Sequence, residues 1–316
     1  TDSLRFVPDG ANSDSASVTY RAWDQTSGTA GNKETTASNG GSTAFSTATD
    51  TASITVTAVN DAPVLDNSGN MVLTDIAEDD TGSAGDTVAA IISSAGGDRI
   101  TDVDTGAVEG LAVIGVDDSN GTWQYDAGSG WTAFGAVTNT SAVLLDTTSS
   151  IRFVPDASYT GSAGDITFRA WDTTSGSDGD TAVDVSTNGT TTAYSTDTET
   201  ATLTVTGVND APVLTPSTPT LTTISEDDTN NSGQLISAIV TTDITDIDGG
   251  AVEGIAITSL NSSNGTWEYD TGSGWTAVGA VTNTSALLLR ATDSLRFVPD
   301  GANSDSASVT YRAWDQ

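Results

Sequence analysis

Neither cysteine nor histidine occurs in the 316 residues, methionine occurs once, and Lys and Arg together number only 9. Each shortage closes off some chemistry. Without Cys there is no disulfide, no zinc–thiolate site and no thiol nucleophile. Without His the commonest general base is missing, and no Ser elbow or phosphate loop takes its place, so the chain reads as non-enzymatic. A carboxylate pair of the glycosidase kind can be picked almost anywhere among so many acids, so it carries no information. So few basic residues supply no footprint for phosphate, which excludes nucleic acid as a partner and disfavours an anionic membrane surface. No apolar run approaches the ~20 residues of a membrane span, so no membrane insertion is expected of this segment, and no leader is visible.

What the chain does have is acid. Its 43 Asp and Glu set a net charge of −34. Such charge, with abundant Thr, Ser and Gly, would suit a disordered chain. The 36% hydrophobic content and 7 Trp argue for folding, because the apolar residues alternate with polar ones as half-buried strands do.

Self-comparison gives the organisation. Val59-Asn60-Asp61-Ala62-Pro63-Val64-Leu65 recurs as Val208 to Leu214, a period of 149 residues from Asn60 to Asn209. Arg5-Phe6-Val7-Pro8-Asp9 returns at Arg152 and Arg296, and Arg21-Ala22-Trp23-Asp24 at Arg169 and Arg312. Thr1 to Gln25 is repeated without change at Thr292 to Gln316, an offset of 291, which leaves 142 residues for the second unit. The expected division is the end of one repeat (1–61), a complete repeat (62–210) and most of a third (211–316). Because Thr1 begins in mid-pattern, the chain is expected to be a window on a longer periodic fibre. A donor-strand arrangement, in which residues 26–61 of one chain complete the last repeat of another, is the less simple reading, since a donor would not need the duplicated 25 residues.

Within a repeat, Gly110 to Val116 and Gly121 to Tyr125 read as strands around an Asp117–Asn120 turn, and Trp131 to Phe134 as a hairpin partner. Ile151 and Phe153 alternate, as do Ile166, Phe168 and Ala170, while Thr200 to Val208 closes the unit. Thr87 to Ser93 is apolar and fits helix or strand. Asp172 to Gly189 is a long polar loop. Short strands with frequent turns predict an all-β fold of tandem β-sandwich domains in an elongated array. The aromatics Trp123, Tyr125 and Trp131 read as core in preference to a sugar-stacking platform, and Trp23, Trp171 and Trp314 as structural. The dispersed acids Asp178, Asp180 and Asp184 read as solvated surface.

Four acidic features recur once per repeat: Glu78-Asp79-Asp80 (Glu226-Asp227-Asp228), Asp102-x-Asp104 (Asp246-x-Asp248), the Asp closing Arg-Ala-Trp-Asp (Asp24, Asp172, Asp315), and the Asn-Asp joint (Asn60-Asp61, Asn209-Asp210). Proline leaves the joint extended, and Asn-Asp makes it rich in oxygen. Two carboxylates ~4 Å apart repel by ~4 kcal/mol at an effective dielectric of 20, so several can share a joint only around a cation. A calcium ion takes six to eight oxygens.

The order of these features resembles cadherin-type repeats, and more nearly the cadherin-like tandem repeats of very large bacterial surface proteins. Arg-Ala-Trp-Asp departs from the cadherin turn. The resemblance implies immunoglobulin- or cadherin-like sandwiches, an extracellular, cell-surface location, bound calcium, and a fibre-forming or adhesive role. Carried over, one joint would use Glu78, Asp172, Asn209 and Asp210 with Asp246 and Asp248, and the earlier joint Asp24, Asn60 and Asp61 with Asp102 and Asp104. Glu226 and Asp315 would serve the next. Its partners would be neighbouring repeats of the same chain and identical chains in a fibre. The competing reading is a module gripping a surface glycan or receptor.

Overall fold

In the computed structural model, which describes residues 2–316, the chain is nearly all β. It divides into two compact units, one running to Thr206 and the other Gly207–Gln316.

The first unit contains a five-stranded sheet in the order Val143–Asp146, Gly110–Val116, Ile166–Trp171, Glu199–Thr202, Met71–Val72. A four-stranded sheet runs Thr132–Ala133, Gly121–Asp126, Ser150–Pro155, Asp86–Thr87. Alternation explains both. Leu111 and Val113 from one sheet and Trp123, Ile151 and Phe153 from the other are fully buried in one apolar cluster, together with Ile166 and Phe168. Two-faced burial also explains a glycine. A Cβ on Gly121 would lie 2.4 Å from both Phe153 Cζ and the Val154 carbonyl oxygen, and Gly265 stands in the same relation to Phe297 and Val298.

The ambiguous run resolves as a short helix, Val88–Ser94. Thr87 Oγ1 accepts from Ala90 N at 3.2 Å, and Val88, Ile91 and Ile92 face the core at helical spacing. The closing strand is two pieces, Glu199–Thr202 and Thr204–Thr206. The break at Leu203 moves the chain from the five-stranded sheet to a small one with Gly161–Ser162 and Ile76–Ala77.

The long loop is folded onto the five-stranded sheet. Val183 exchanges backbone hydrogen bonds with Ala142, and Val185, Ala193 and Tyr194 bury against Ala112, Leu144 and Trp171 in a second cluster. Asp178 corrects its reading as a solvated acid. It is half-buried and accepts from Asp146 N at 2.8 Å and Ser149 Oγ at 2.7 Å. Asp180 and Asp184 are exposed. Trp123 and Tyr125 are buried, and Trp131 is capped by the Arg152 guanidinium 4.2 Å from its ring. Residues before Asn60 add a separate two-stranded sheet, Asp14–Tyr20 with Asp50–Val56.

The second unit repeats the plan. Gln234–Leu235, Ser294–Pro299, Gly265–Asp270 and Thr276–Ala277 form one sheet, and Leu287–Arg290, Glu253–Asn261 and Ser308–Asp315 the other. Ile236, Ile255, Ile257, Leu289 and Leu295 make its core. A register shift between Ile257 and Ser259 mirrors the one opposite Thr167/Phe168 in the first unit. Among the described residues no helix is long and apolar enough to cross a membrane.

Candidate metal centre

Two short pairings place the acidic groups. Past Pro63, Val64–Leu65 pairs with Ile100–Thr101, so the Asn-Asp segment emerges beside the Asp102-x-Asp104 turn that follows Thr101. Trp171 pairs with Gly110, so Asp172, the next residue, arrives at the same end of the sheet. Residues distant in sequence are thereby gathered at one edge of the unit.

Asp61 N donates to Asp104 Oδ2 at 2.8 Å, and Asp104 N donates to Asp102 Oδ1 at 2.8 Å. Asn60 Nδ2 donates to Asp172 Oδ2 at 2.9 Å and to the Thr192 carbonyl at 3.1 Å. Asp172 is 3% exposed and its other oxygen accepts from Thr174 N and Oγ1. Asp102 Oδ2 is buried without a hydrogen-bond partner. Burial raises the Asp102 carboxyl above its ordinary value, and the charges of Asp104, Asp172 and Asp61 raise it further, against the lowering effect of the Asp104 N–H. The nearest basic residue in sequence, Arg99, is committed to Asp66 at 2.8 Å.

A cavity of about 310 Å³ opens on this group and adds Asp98 and Glu109 to its walls. Burial first, and Asp98 second, push the Glu109 carboxyl up. Sequence reasoning missed these two acids and the Thr192 carbonyl. Glu109 was legible as the residue just before the Gly110 strand. The carbonyl was not, because only the folded loop brings it round.

The second unit builds the same arrangement. Val213–Leu214 pairs with Ile244–Thr245, Asp210 N donates to Asp248 Oδ2 at 2.8 Å, and Asp248 N donates to Asp246 Oδ1 at 2.9 Å. Asn209 Nδ2 donates to Asp315 Oδ2 at 2.7 Å. Asp246, Asp248 and Asp315 each place a carboxylate oxygen within 4.8 Å of the others, a group able to hold a metal ion. Asp246 Oδ2 is again buried without a partner.

The grouping therefore differs from the sequence expectation in one respect. The aspartate of Arg-Ala-Trp-Asp meets the Asn-Asp that opens its own repeat: Asp172 goes with Asn60, and Asp315 with Asn209. The antiparallel register of the Trp171 strand against Gly110 dictates this. Asp24, expected beside Asn60, is exposed and accepts from Thr26 N and Oγ1 at 2.9 and 2.6 Å, which hold its carboxyl below the ordinary value. Glu78 is buried after the Ile76–Ala77 strand and its N–H bonds the Thr206 carbonyl. Glu226 is exposed in a turn.

All the side-chain ligands on offer are oxygens, which suits a hard cation. Comparison of the chain with protein-family models, with curated proteins and with solved structures returns no match.

Proposed function

We infer that the chain is a structural, adhesive repeat segment of a long extracellular bacterial protein or filament, stiffened by calcium at its Asn-Asp joints. One observation carries the reading. Two separate units each aim an Asn-Asp segment, an Asp-x-Asp turn and a third aspartate at one point, and each leaves the same buried carboxylate oxygen, Asp102 Oδ2 or Asp246 Oδ2, unsatisfied. A cation satisfies that oxygen and removes the repulsion that the convergence creates.

Calcium is favoured over magnesium because the donors are carboxylates and carbonyls in a loose, many-membered set, where magnesium demands near-ideal octahedral geometry. Calcium there would fasten the Val59–Pro63 segment to the repeat that follows it, and Val208–Pro212 likewise. At free calcium 100 times the dissociation constant each site adds ~2.7 kcal/mol to the ordered state. Extracellular modules use sites of roughly 10⁻⁴–10⁻³ M affinity, which matches a partly open acidic edge. The competing glycan-binding reading draws less support, because Trp123 and Tyr125 are buried and Trp131 lies under Arg152. The reading assigns the chain no catalytic role.

Small-angle scattering and thermal melting of the chain, titrated with calcium after chelation, test it. Stiffening and a rise in melting temperature are expected, reduced by Asp104→Asn or Asp248→Asn. Each amide can still accept from the joint N–H but loses the charge. A scattering profile and melting curve that ignore calcium up to millimolar levels would leave the joints as passive connectors.

A further inference from the structure

The loop of residues 172–198 is fastened to its repeat in two ways. Its first half runs along the edge of the five-stranded sheet: Val183 exchanges backbone bonds with Ala142, Gly179 N donates to the Leu144 carbonyl, and Leu144 N donates to the Asp180 carbonyl. The returning arm, residues 186–192, has no such edge. Among the described residues, its only hydrogen bonds outside the loop go to the joint. Ala62 N donates to the Thr190 carbonyl at 2.9 Å, and Asn60 Nδ2 to the Thr192 carbonyl at 3.1 Å. The same carboxamide reaches Asp172 Oδ2 at 2.9 Å, where the loop begins. One side chain of the joint thus pins both ends of a loop that lies 112 to 132 positions further along the chain.

The arm is also strained. Thr190 has a φ of 53°, in the left-handed region where a β-branched residue is an outlier. Its counterpart one period earlier is Gly41, which adopts a φ of 57° without that cost. A strained turn persists only where its surroundings hold it, and here the bonds from outside come from the joint. The residues that flank the arm, Val185 on one side and Ala193 and Tyr194 on the other, are buried against Ala112, Leu144 and Trp171.

We propose that residues 186–192 are a latch closed by the joint. Withdrawal of Asn60–Ala62 opens the arm and bares the apolar face of Leu144 and Trp171 that Ala193 and Tyr194 cover, while the inner sheets stay folded. A pull from the N-terminal side of the chain enters this repeat at residues 60–62. The latch therefore converts tension on the joint into an exposed apolar surface. The coupling is reciprocal, so the closed arm also keeps the joint docked. The latch needs no cation.

The cysteine-free chain allows a direct test. Ala193→Cys places a buried thiol beside the arm, and Ala163→Cys places one in the main core. Their labelling rates report local and global opening separately. In chelator, adding Asn60→Ala is expected to speed labelling at position 193 by about tenfold or more and to leave position 163 unchanged. Asn60→Asp, of the same shape but without the donor, should do likewise. Hydrogen exchange of the two Asn60 variants alone, with no thiol introduced, should show the same split between residues 186–195 and the strands Gly121–Asp126 and Ser150–Pro155. Rates unchanged at both positions, or raised equally at both, would overturn the proposal, as would an effect of the Ala variant without one of the Asp variant. That failure would leave calcium at the joints standing, and a joint that ignores calcium would leave the latch standing.

Discussion

Residues 62–206 and the unit at 207–316 share a four-stranded sheet, three strands of the other sheet, the bulge, the core glycine and the convergence of acids, but not their outer cover. Trp171 is 1% exposed and Leu144 fully buried beneath the loop of residues 172–198, whereas Trp314 is half-buried and Leu288 47% exposed. Asp172 is 3% exposed and Asp315 half-buried. The site's geometry therefore comes from the inner strands, since it survives in both. The loop and the closing strand set how dry the site is, and hence how strongly its charges interact.

Breaking the cover gives the largest expected effect. Trp171→Ala removes a buried indole that also donates to the Ser175 carbonyl at 2.8 Å, and should cost about 3–5 kcal/mol. Trp314→Ala should cost less than half as much, because part of that surface is already wet. Urea denaturation of the two variants measures the difference. Equal losses would mean that the cover contributes little.

The inner framework was legible in the sequence where a single rule applied. Ile151, Phe153, Ile166, Phe168 and Ala170 announced buried faces by alternation, and Asp117–Asn120 announced a turn. Thr87 to Ser93 was not legible, because its five consecutive apolar residues, Val88 to Ile92, fit either period; the Thr87 cap decided it. The site was legible as a set of motifs but not as a set of neighbours. Asp24 and Asp172 look equivalent in sequence, and only the pairing of Trp171 with Gly110 tells which Asn-Asp each can reach. Glu109 carried no motif, and only its place just before the Gly110 strand marked it.

The second prediction sharpens the comparison at the acids. Asp102→Asn leaves the acceptor for Asp104 N in place and removes a carboxylate whose charge is disfavoured by burial and by three neighbours. In chelator it should stabilise the first unit, and the benefit should grow as pH rises. The sign follows from linkage. A carboxyl whose folded value is raised contributes stability only while protonated, and that contribution is lost as pH climbs through the folded value. With saturating calcium the order should invert, wild type leading by up to ~2.7 kcal/mol at 100 times the dissociation constant. Melting curves with and without calcium, from acid to neutral pH, check both halves.

Third, the glycines test whether the frameworks are as alike as they look. Gly121→Ala and Gly265→Ala each force a methyl to within 2.4 Å of a phenyl carbon and a carbonyl oxygen. Each should cost about 1–3 kcal/mol by overpacking. Near-equal losses in urea denaturation would support a common inner framework, and a much smaller loss at Gly265 would show that the less covered unit relaxes.

The smallest effect isolates a single charge. Arg152 and Arg296 each stack 4.2 Å from a tryptophan ring, on Trp131 and Trp275. Each gives two hydrogen bonds to one side-chain oxygen, Gln124 Oε1 at 2.9 and 2.7 Å or Glu268 Oε2 at 2.9 and 2.6 Å. Each gives a third to a backbone carbonyl, of Ser83 or Asn231. With the stacking and bonding alike, amide against carboxylate is the main difference. Glu268→Gln should cost about 0.2–1 kcal/mol at low salt and less at high salt, since these side chains keep some contact with water. Gln124→Glu should gain a comparable amount, unless the net charge of −34 opposes one more acid. Melting the pair across ionic strength separates the two: a loss at residue 268 without a gain at residue 124 would show that the surrounding acidic field outweighs the local pair.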